Sequence, residues 1–209
     1  MNGNPALADG VRTLGIDLSA EAIARFERYL DLLEKWNAVI NLTAVRERSR
    51  MVTLHLLDSL TVVPRLAGKN RLLDVGSGAG MPGIPLAIAL PHLQVTLLEA
   101  NQKKAAFLRQ ARLELGLDNV QVVAERVEQW QTDERFDAIV SRAFSDLPDF
   151  VASARRLLAP DGSIIAMKGV VPFEEISRLA PDLVPEVVPV TVPHLSAERH
   201  LIVIGANRT

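Results

Sequence analysis

The pattern of apolar and polar positions changes character near residue 68. Before it, apolar residues recur at helical spacing: Ile23, Phe26, Leu30 and Leu33 form one stripe, with Tyr29 and Trp36 alongside. Ser19 stands where an N-cap belongs, so a helix is predicted from there to about Asn37. Glu21–Arg25 and Asp31–Lys35 are i,i+4 pairs in the favourable order. Asn41–Thr43 reads as a turn, and two short helices are predicted near Glu47–Leu54 and Leu56–Leu66. Residues 1–68 therefore read as a helical extension without a strand.

Beyond it, short apolar runs alternate with helical stretches. Strands are predicted at Arg71–Val75, Gln94–Leu98, Val120–Ala124, Phe136–Ser141 and Ser163–Met167. Helices are predicted at Ile84–Leu90, Gln102–Leu115, Val127–Gln131, Leu147–Leu158 and Phe173–Leu179. Such alternation makes a parallel sheet with helices on both faces. Glu186–Val192 and His200–Gly205 have no long helix between them and are expected to form an antiparallel pair. Pro185, Pro189 and Pro193 confine the first of these to an edge. The expected fold class is α/β: a doubly wound, Rossmann-like sheet over residues 69–209, mostly parallel with a terminal antiparallel strand. It packs as one unit with the extension.

Composition narrows the chemistry. The 209 residues are 48% hydrophobic and 23% charged, which is ordinary for a globular chain. There is no cysteine. That removes disulfides, thiolate zinc sites and the covalent route to methylating carbon 5 of a pyrimidine. A net charge of −2 leaves any nucleic-acid contact to local patches. No apolar run approaches the roughly 20 residues of a membrane span, and Met1–Gly10 lacks the basic-then-apolar order of a signal peptide. A cytoplasmic location without a membrane partner is expected. No metal site is expected either: His55 and Asp58, three apart, have no further ligands beside them in the sequence.

Between the first predicted strand and its helix lies Asp74-Val75-Gly76-Ser77-Gly78-Ala79-Gly80-Met81-Pro82-Gly83. Glycines here let the backbone turn tightly and approach a ligand. The dinucleotide fingerprint G-x-G-x-x-G would need glycine at position 81, where Met81 stands, and its third glycine arrives one residue early at Gly80. The D-x-G-x-G-x-G order instead resembles motif I of class I methyltransferases, which implies S-adenosylmethionine as cofactor. Asp74 would then order its methionine end. Glu99 closes the second strand, where a carboxylate can accept from ribose hydroxyls. A nicotinamide enzyme uses the same device, so Glu99 alone leaves both cofactors open. The segment Glu125–Glu128 follows the third strand and is placed to hold an adenine.

After the fourth strand comes Ser141-Arg142-Ala143-Phe144, not the Asn/Asp-Pro-Pro-aromatic motif of exocyclic amino methylation. Asp137, Asp146 and Asp149 are poor candidates for a metal-dependent catechol site. A ring nitrogen such as guanine N7 has a free lone pair and no proton, so it needs positioning and desolvation rather than a base. Many small molecules satisfy the same condition. Arg142 stands where a guanidinium can bind a carboxylate or a phosphate, and Lys168 ends the fifth strand with the same two options.

Several strings occur in one order: Leu33-Glu34-Lys35-Trp36-Asn37, Asn41-Leu42-Thr43, His55-Leu56-Leu57-Asp58-Ser59, DVGSGAGMPGIP over Asp74–Pro85, Ser141-Arg142-Ala143, Lys168-Gly169 and Glu198-Arg199-His200-Leu201. Together they resemble the bacterial 16S ribosomal RNA guanine-N7 methyltransferases of the RsmG (GidB) family over nearly the whole chain. The resemblance implies methyl transfer to N7 of one guanine near the decoding centre, a monomer, and 16S ribosomal RNA or the small ribosomal subunit as partner. It implies cofactor contacts at Gly76, Met81, Glu99, Val127, Glu128 and Arg142, beside Asp74 and Gly78 of the loop. For the RNA, Asn41, Arg46, Lys168, Arg199 and His200 are the candidate contacts. Arg48, Arg50, Lys103, Lys104, Arg109 and Arg112 are further phosphate-neutralising candidates, each competing with the reading of a solvated helix face. Trp36 can stack on a base or pack in the core.

Overall fold

A computed structural model describes residues 4–142, 144 and 146–205 of the chain. The first helix, α1 (Pro5–Thr13), starts where Asn4 accepts from the Ala6 N–H at 3.0 Å and Pro5 takes the first helical position. Apolar periodicity did not reveal this helix; the Asn-Pro step was its signal. The helix α2 (Ala20–Asn37) is capped by the Ser19 hydroxyl, which accepts from Ala22 N–H at 3.1 Å, as the sequence led us to expect.

The two short helices expected over 47–66 are instead continuous through His55. Helix α3 (Arg48–Met51) runs into a π-helical stretch (Val52–Leu57) and then α4 (Asp58–Leu60), followed by a 3-10 turn (Val63–Leu66). Each π turn holds an extra residue, which rotates the side chains that follow it and is frequent near functional sites.

The remainder alternates as β1 (Arg71–Val75), α5 (Gly83–Ala89), β2 (Gln94–Leu98), α6 (Gln102–Leu115), β3 (Val120–Val123), β4 (Phe136–Ser141), α7 (Leu147–Ala154), β5 (Leu158–Lys168), α8 (Phe173–Ser177), β6 (Glu186–Pro189) and β7 (His200–Gly205). The strand order is β3-β2-β1-β4-β5-β7-β6. Strands β1 to β5 pair in parallel, β7 runs antiparallel to β5, and β6 runs antiparallel to β7. This is the doubly wound, mostly parallel sheet with an antiparallel end that the pattern predicts. Local corrections have local reasons. Val127–Gln131 is a turn closed by Gln129 and Trp130 N–H groups on the Arg126 carbonyl, too short to hold a helix. Strand β5 begins well before Ser163 because its ladder jumps register: Phe136 faces Leu158 while Ala138 already faces Ser163. Strand β6 stops at Pro189, a residue that cannot continue a ladder on both sides.

Alternation along the strands sends side chains to two core layers. Leu72, Val95, Leu97 and Val140 face one layer, which includes α5, α6 and the extension through Phe26, Leu30, Leu33, Leu56 and Leu57. Leu73, Leu98, Ile139 and Ile164 face the other, with Phe150 of α7 and Ile202 of β7. The extension is thus part of the sheet's own packing. A fully buried polar contact crosses this layer: the Tyr29 hydroxyl donates to the Ala79 carbonyl at 2.5 Å, tying α2 to the loop after β1. Burial drives the Tyr29 phenol far above its usual range, so it remains a donor.

Removing that hydroxyl leaves a buried carbonyl without its partner. Tyr29→Phe is expected to lower unfolding stability by about 1–3 kcal/mol. Urea denaturation would show a lower midpoint with an unchanged slope; an unchanged midpoint would show that the contact contributes nothing.

Candidate active site

The sheet reverses its winding between β1 and β4, and doubly wound sheets open a crevice there at the carboxyl ends of their strands. The loop leaving β1 is folded against the end of β2: Gly76 and Ser77 N–H groups donate to the Leu98 carbonyl at 2.8 and 3.2 Å. Gly76 has φ +71°, and a Cβ on it would meet nothing within 4 Å, so its bare side opens to the cleft. Gly83, at the start of α5, is the opposite case. A Cβ there would lie 2.2 Å from Leu97 Cδ2 and 2.8 Å from Asp74 Oδ2. Only glycine lets the helix start lie against that carboxylate.

Two carboxylates brace the loop. Glu99, 8% exposed, accepts from Gly78 N–H at 2.7 Å and from Asn101 N–H at 2.8 Å. Asp74 is fully buried, with Oδ2 accepting from Gly83 N–H at 3.0 Å and Oδ1 left without a partner. Burial pushes the Asp74 carboxyl up to about 7, while the Gly83 hydrogen bond, the Ser77 hydroxyl and then the Arg142 charge pull it back. An unsatisfied buried acceptor beside a glycine cradle suits a cationic ligand group such as an ammonium.

Two cavities lie at the carboxyl ends of the strands, the first of them against the loop. One, of about 190 Å³, is lined by Gly76, Glu99, Glu125, Val127, Glu128 and Phe144. The other, of about 370 Å³, is lined by His55, Asp58, Arg142, Lys168, Arg199 and His200, among others. The structure therefore brings Gly76, Glu99, Val127 and Glu128 together, and separately Lys168, Arg199 and His200. Arg142, grouped by sequence with the cofactor residues, opens onto the second cavity. Its Nη1 donates to the Leu54 carbonyl at 3.0 Å and its Nη2 lies 3.4 Å from the sulfur of buried Met81. Gly78 and Asp74 stand behind the first cavity rather than on its wall. Asn41 and Arg46 line neither cavity: Asn41 is exposed, and Arg46 donates to the Asn37 carbonyl at 3.0 Å.

Every cation of the second cavity has a carboxylate or carbonyl beside it. Arg199 Nε donates to Asp58 Oδ1 at 3.1 Å, and Arg142 Nη1 lies 3.8 Å from Asp58 Oδ2. Burial raises the Asp58 carboxyl, with the two guanidiniums opposing. Lys168 Nζ donates to Glu175 at 2.8 Å, and that carboxylate also takes the Leu147 N–H at 2.7 Å. His200 Nδ1 faces the Gly169 carbonyl at 2.7 Å and so carries the hydrogen there. Glu175 and Tyr29 carried no signal in the sequence beyond their residue type, because each acts across the fold.

Other candidates fall elsewhere. Arg48 is shared among Glu27, Asp31 and Glu34, so its charge is spent within the extension. Arg109 and Arg112 line a hollow with Gln94 and Asn119 at the amino ends of β2 and β3, opposite the cleft. Trp36 packs edge-on to Phe107, with ring centres 5.7 Å apart, in a core role. Asp137 accepts from Asn70 and Arg71 N–H groups at the start of β4, the far end of the strand from Asp146 and Asp149. Among the described residues no group of three His, Cys, Asp or Glu is placed to hold a metal ion.

Solved structures share this architecture. An O-methyltransferase from Streptomyces achromogenes, TomG, described in complex with SAM, superposes with a TM-score of 0.62 at 14% identity, covering 99% of each chain. An O-methyltransferase from Bacillus cereus in complex with SAH gives 0.61 at 19% identity, covering 85% of this chain and 90% of that one. The fold is that of the class I S-adenosylmethionine-dependent methyltransferases. Within that class, the model of the family described as rRNA small subunit methyltransferase G matches residues 22–202. Ribosomal RNA small subunit methyltransferase G of Chromobacterium violaceum is 58% identical over 197 residues, 94% of each chain. That of Laribacter hongkongensis is 54% identical over 206 residues, 98% of this chain and 99% of its own. The chain belongs to the rRNA small subunit methyltransferase G family.

The buried carboxylate of the loop has a pH signature. The folded Asp74 holds its proton more tightly than the unfolded chain does, since its pKa stands at about 7 against 3.8. That stabilisation is complete below pH 3.8 and is lost as pH rises through 7. Asp74→Asn cannot titrate. In the ligand-free protein its stability relative to wild type is expected to improve by on the order of 3–4 kcal/mol between pH 4 and 8. Urea titrations across that range check this; parallel profiles would contradict a protonated Asp74.

Proposed function

We propose that the chain transfers the methyl group of S-adenosylmethionine to N7 of a guanine in 16S ribosomal RNA. The observation that supports this most is a pair of cavities at the carboxyl ends of the strands, one walled by glycine and carboxylate, the other by cations, in a chain of this family. In this reading Glu99 accepts from the ribose hydroxyls, exchanging part of its hold on Gly78. Val127, buried, and Glu128 flank the adenine in the same cavity. Asp74 draws the methionine ammonium toward the loop, and Arg142, whose Nη2 lies beside Met81 of that loop, receives the carboxylate. When bound, the cofactor supplies an electrophilic methyl group on a sulfonium.

The acceptor side holds the nucleotide by charge. Lys168, Arg199 and His200 face that cavity and are suited to phosphate oxygens. No residue need remove a proton, because N7 carries none. His55 is already engaged there, with Thr43 2.9 Å from one ring nitrogen and Arg142 3.5 Å from the other. The division into an extension, 1–68, and a methyltransferase unit, 69–209, assigns the extension one wall of the acceptor cavity through His55 and Asp58. We read the chain as a monomer acting in the cytoplasm on the RNA or the small subunit. No helix among the described residues is long and apolar enough to cross a membrane.

Deleting the gene is expected to remove one N7-methylguanine from 16S RNA, read by chemical cleavage mapping; an unchanged pattern would sink the proposal. In the purified protein, Arg142→Ala should weaken S-adenosylmethionine binding by about 10- to 100-fold, the scale of a lost charged hydrogen bond. Lys168→Met should leave that affinity unchanged in calorimetry while lowering methyl transfer to small subunits.

A further inference from the structure

The Arg142 guanidinium is mounted on the helical extension rather than on its own strand's neighbours. The acceptors that meet its Nη1 all come from one stretch of the continuous helix through His55: the Leu54 carbonyl at 3.0 Å, His55 Nδ1 at 3.5 Å and Asp58 Oδ2 at 3.8 Å. This segment is the π-helical one together with the residue that follows it. Nη2 points the other way, to Met81 at the cofactor loop.

Hydrogen placement follows from the partners. Arginine only donates, so His55 Nδ1 accepts from it in the tautomer that leaves this nitrogen bare. The remaining hydrogen then sits on Nε2, which donates to Thr43 Oγ1 at 2.9 Å. That oxygen also accepts from Val45 N–H at 3.1 Å, and so serves as an acceptor already. Thr43 is itself held: the Asn37 side chain accepts from Leu42 and Thr43 N–H groups at 3.0 and 3.1 Å and donates to the Thr43 carbonyl at 3.0 Å. A rigid path therefore runs from Asn37 through Thr43 to His55 and ends on Arg142.

We propose that His55, fixed by Thr43 as its Nε2–H tautomer, is a positioning residue that holds the Arg142 guanidinium in the orientation that receives the cofactor's carboxylate. The inference rests on the reading of Arg142 as the carboxylate partner. Burial, with the Arg142 charge beside it, lowers the imidazole pKa to about 4, which keeps the ring neutral at working pH.

The test separates the two ring nitrogens and the two ends of the cofactor. His55→Asn keeps an acceptor near the Nδ1 position, facing Arg142. His55→Gln keeps only a group near Nε2, facing Thr43. Thr43→Val removes the hydroxyl that selects the tautomer. Binding of S-adenosylmethionine is compared by calorimetry with that of 5′-methylthioadenosine, which has the nucleoside but no carboxylate. His55→Gln is expected to weaken S-adenosylmethionine about tenfold, part of the loss of a charged hydrogen bond, with methylthioadenosine unchanged. Thr43→Val should weaken it about threefold, on the same reasoning. His55→Asn should recover most of the S-adenosylmethionine affinity that His55→Gln loses, with methylthioadenosine unchanged.

Wild-type affinity in His55→Gln, or an equal loss for both ligands, would overturn the proposal; the second outcome would mean that His55 merely packs. Should His55→Gln fail to fold, Thr43→Val decides alone by the same comparison. Arg142→Ala distinguishes the underlying reading. If it binds S-adenosylmethionine normally, the carboxylate assignment fails whatever His55 does. If it binds weakly while His55→Gln binds normally, only the positioning role fails.

Discussion

The constraint on which the structure depends is the satisfaction of one loop's backbone while one of its sides stays open. Between β1 and α5 the chain must leave a buried strand, pass under the cleft and enter a helix. Buried backbone N–H groups must find partners, and here they find them on the closed side. Gly76 and Ser77 use the end of β2, Gly78 uses Glu99, Gly80 and Met81 use the Ser77 carbonyl, and Gly83 uses Asp74. The Ala79 carbonyl takes Tyr29 from outside the sheet. With these bonds directed inward, the bare face of Gly76 is the one left for a ligand.

That arrangement explains why the extension belongs to the catalytic unit. It reaches the cleft in three ways: Tyr29 on the loop, Leu54 and His55 on Arg142, and Asp58 on both Arg142 and Arg199. The π-helical stretch helps make the second and third possible together. In a regular α-helix the side chains of residues 55 and 58 lie on one face about a turn apart; the wider turn lets the Leu54 carbonyl accept from Arg142 as well.

Local signals were legible in the sequence and relational ones were not. Asp74, the early third glycine and Glu99 could be read because strand, turn and carboxylate follow one another within a single unit of alternation. The parallel strands could be read because buried runs bounded by turn residues are short-range features. Helix α1 was missed for the reverse reason: its stripe is brief and only Asn4-Pro5 marks it. Val127–Gln131 looked helical in composition, yet it is a turn whose Val127 wall position comes from its place after β3. The grouping of Arg142 with Asp58 rather than with Gly76, and the exclusion of Asn41 and Arg46 from both cavities, depend on contacts between distant segments. No periodicity encodes those.

Charge pairing reconciles an acidic chain with a polyanionic substrate and a cationic product. A net charge of −2 gives no general attraction for RNA, so the attraction must be local. Methylation at N7 places a positive charge on the purine, and an array of unpaired cations around it would oppose the transition state as that charge develops. In the second cavity Arg142 and Arg199 share Asp58, and Lys168 is paired with Glu175. Each of these cations thus keeps a carboxylate beside it that offsets part of its field. The carboxylates of Asp58 and Glu175 are therefore as much a part of that cavity's charge balance as its basic residues are.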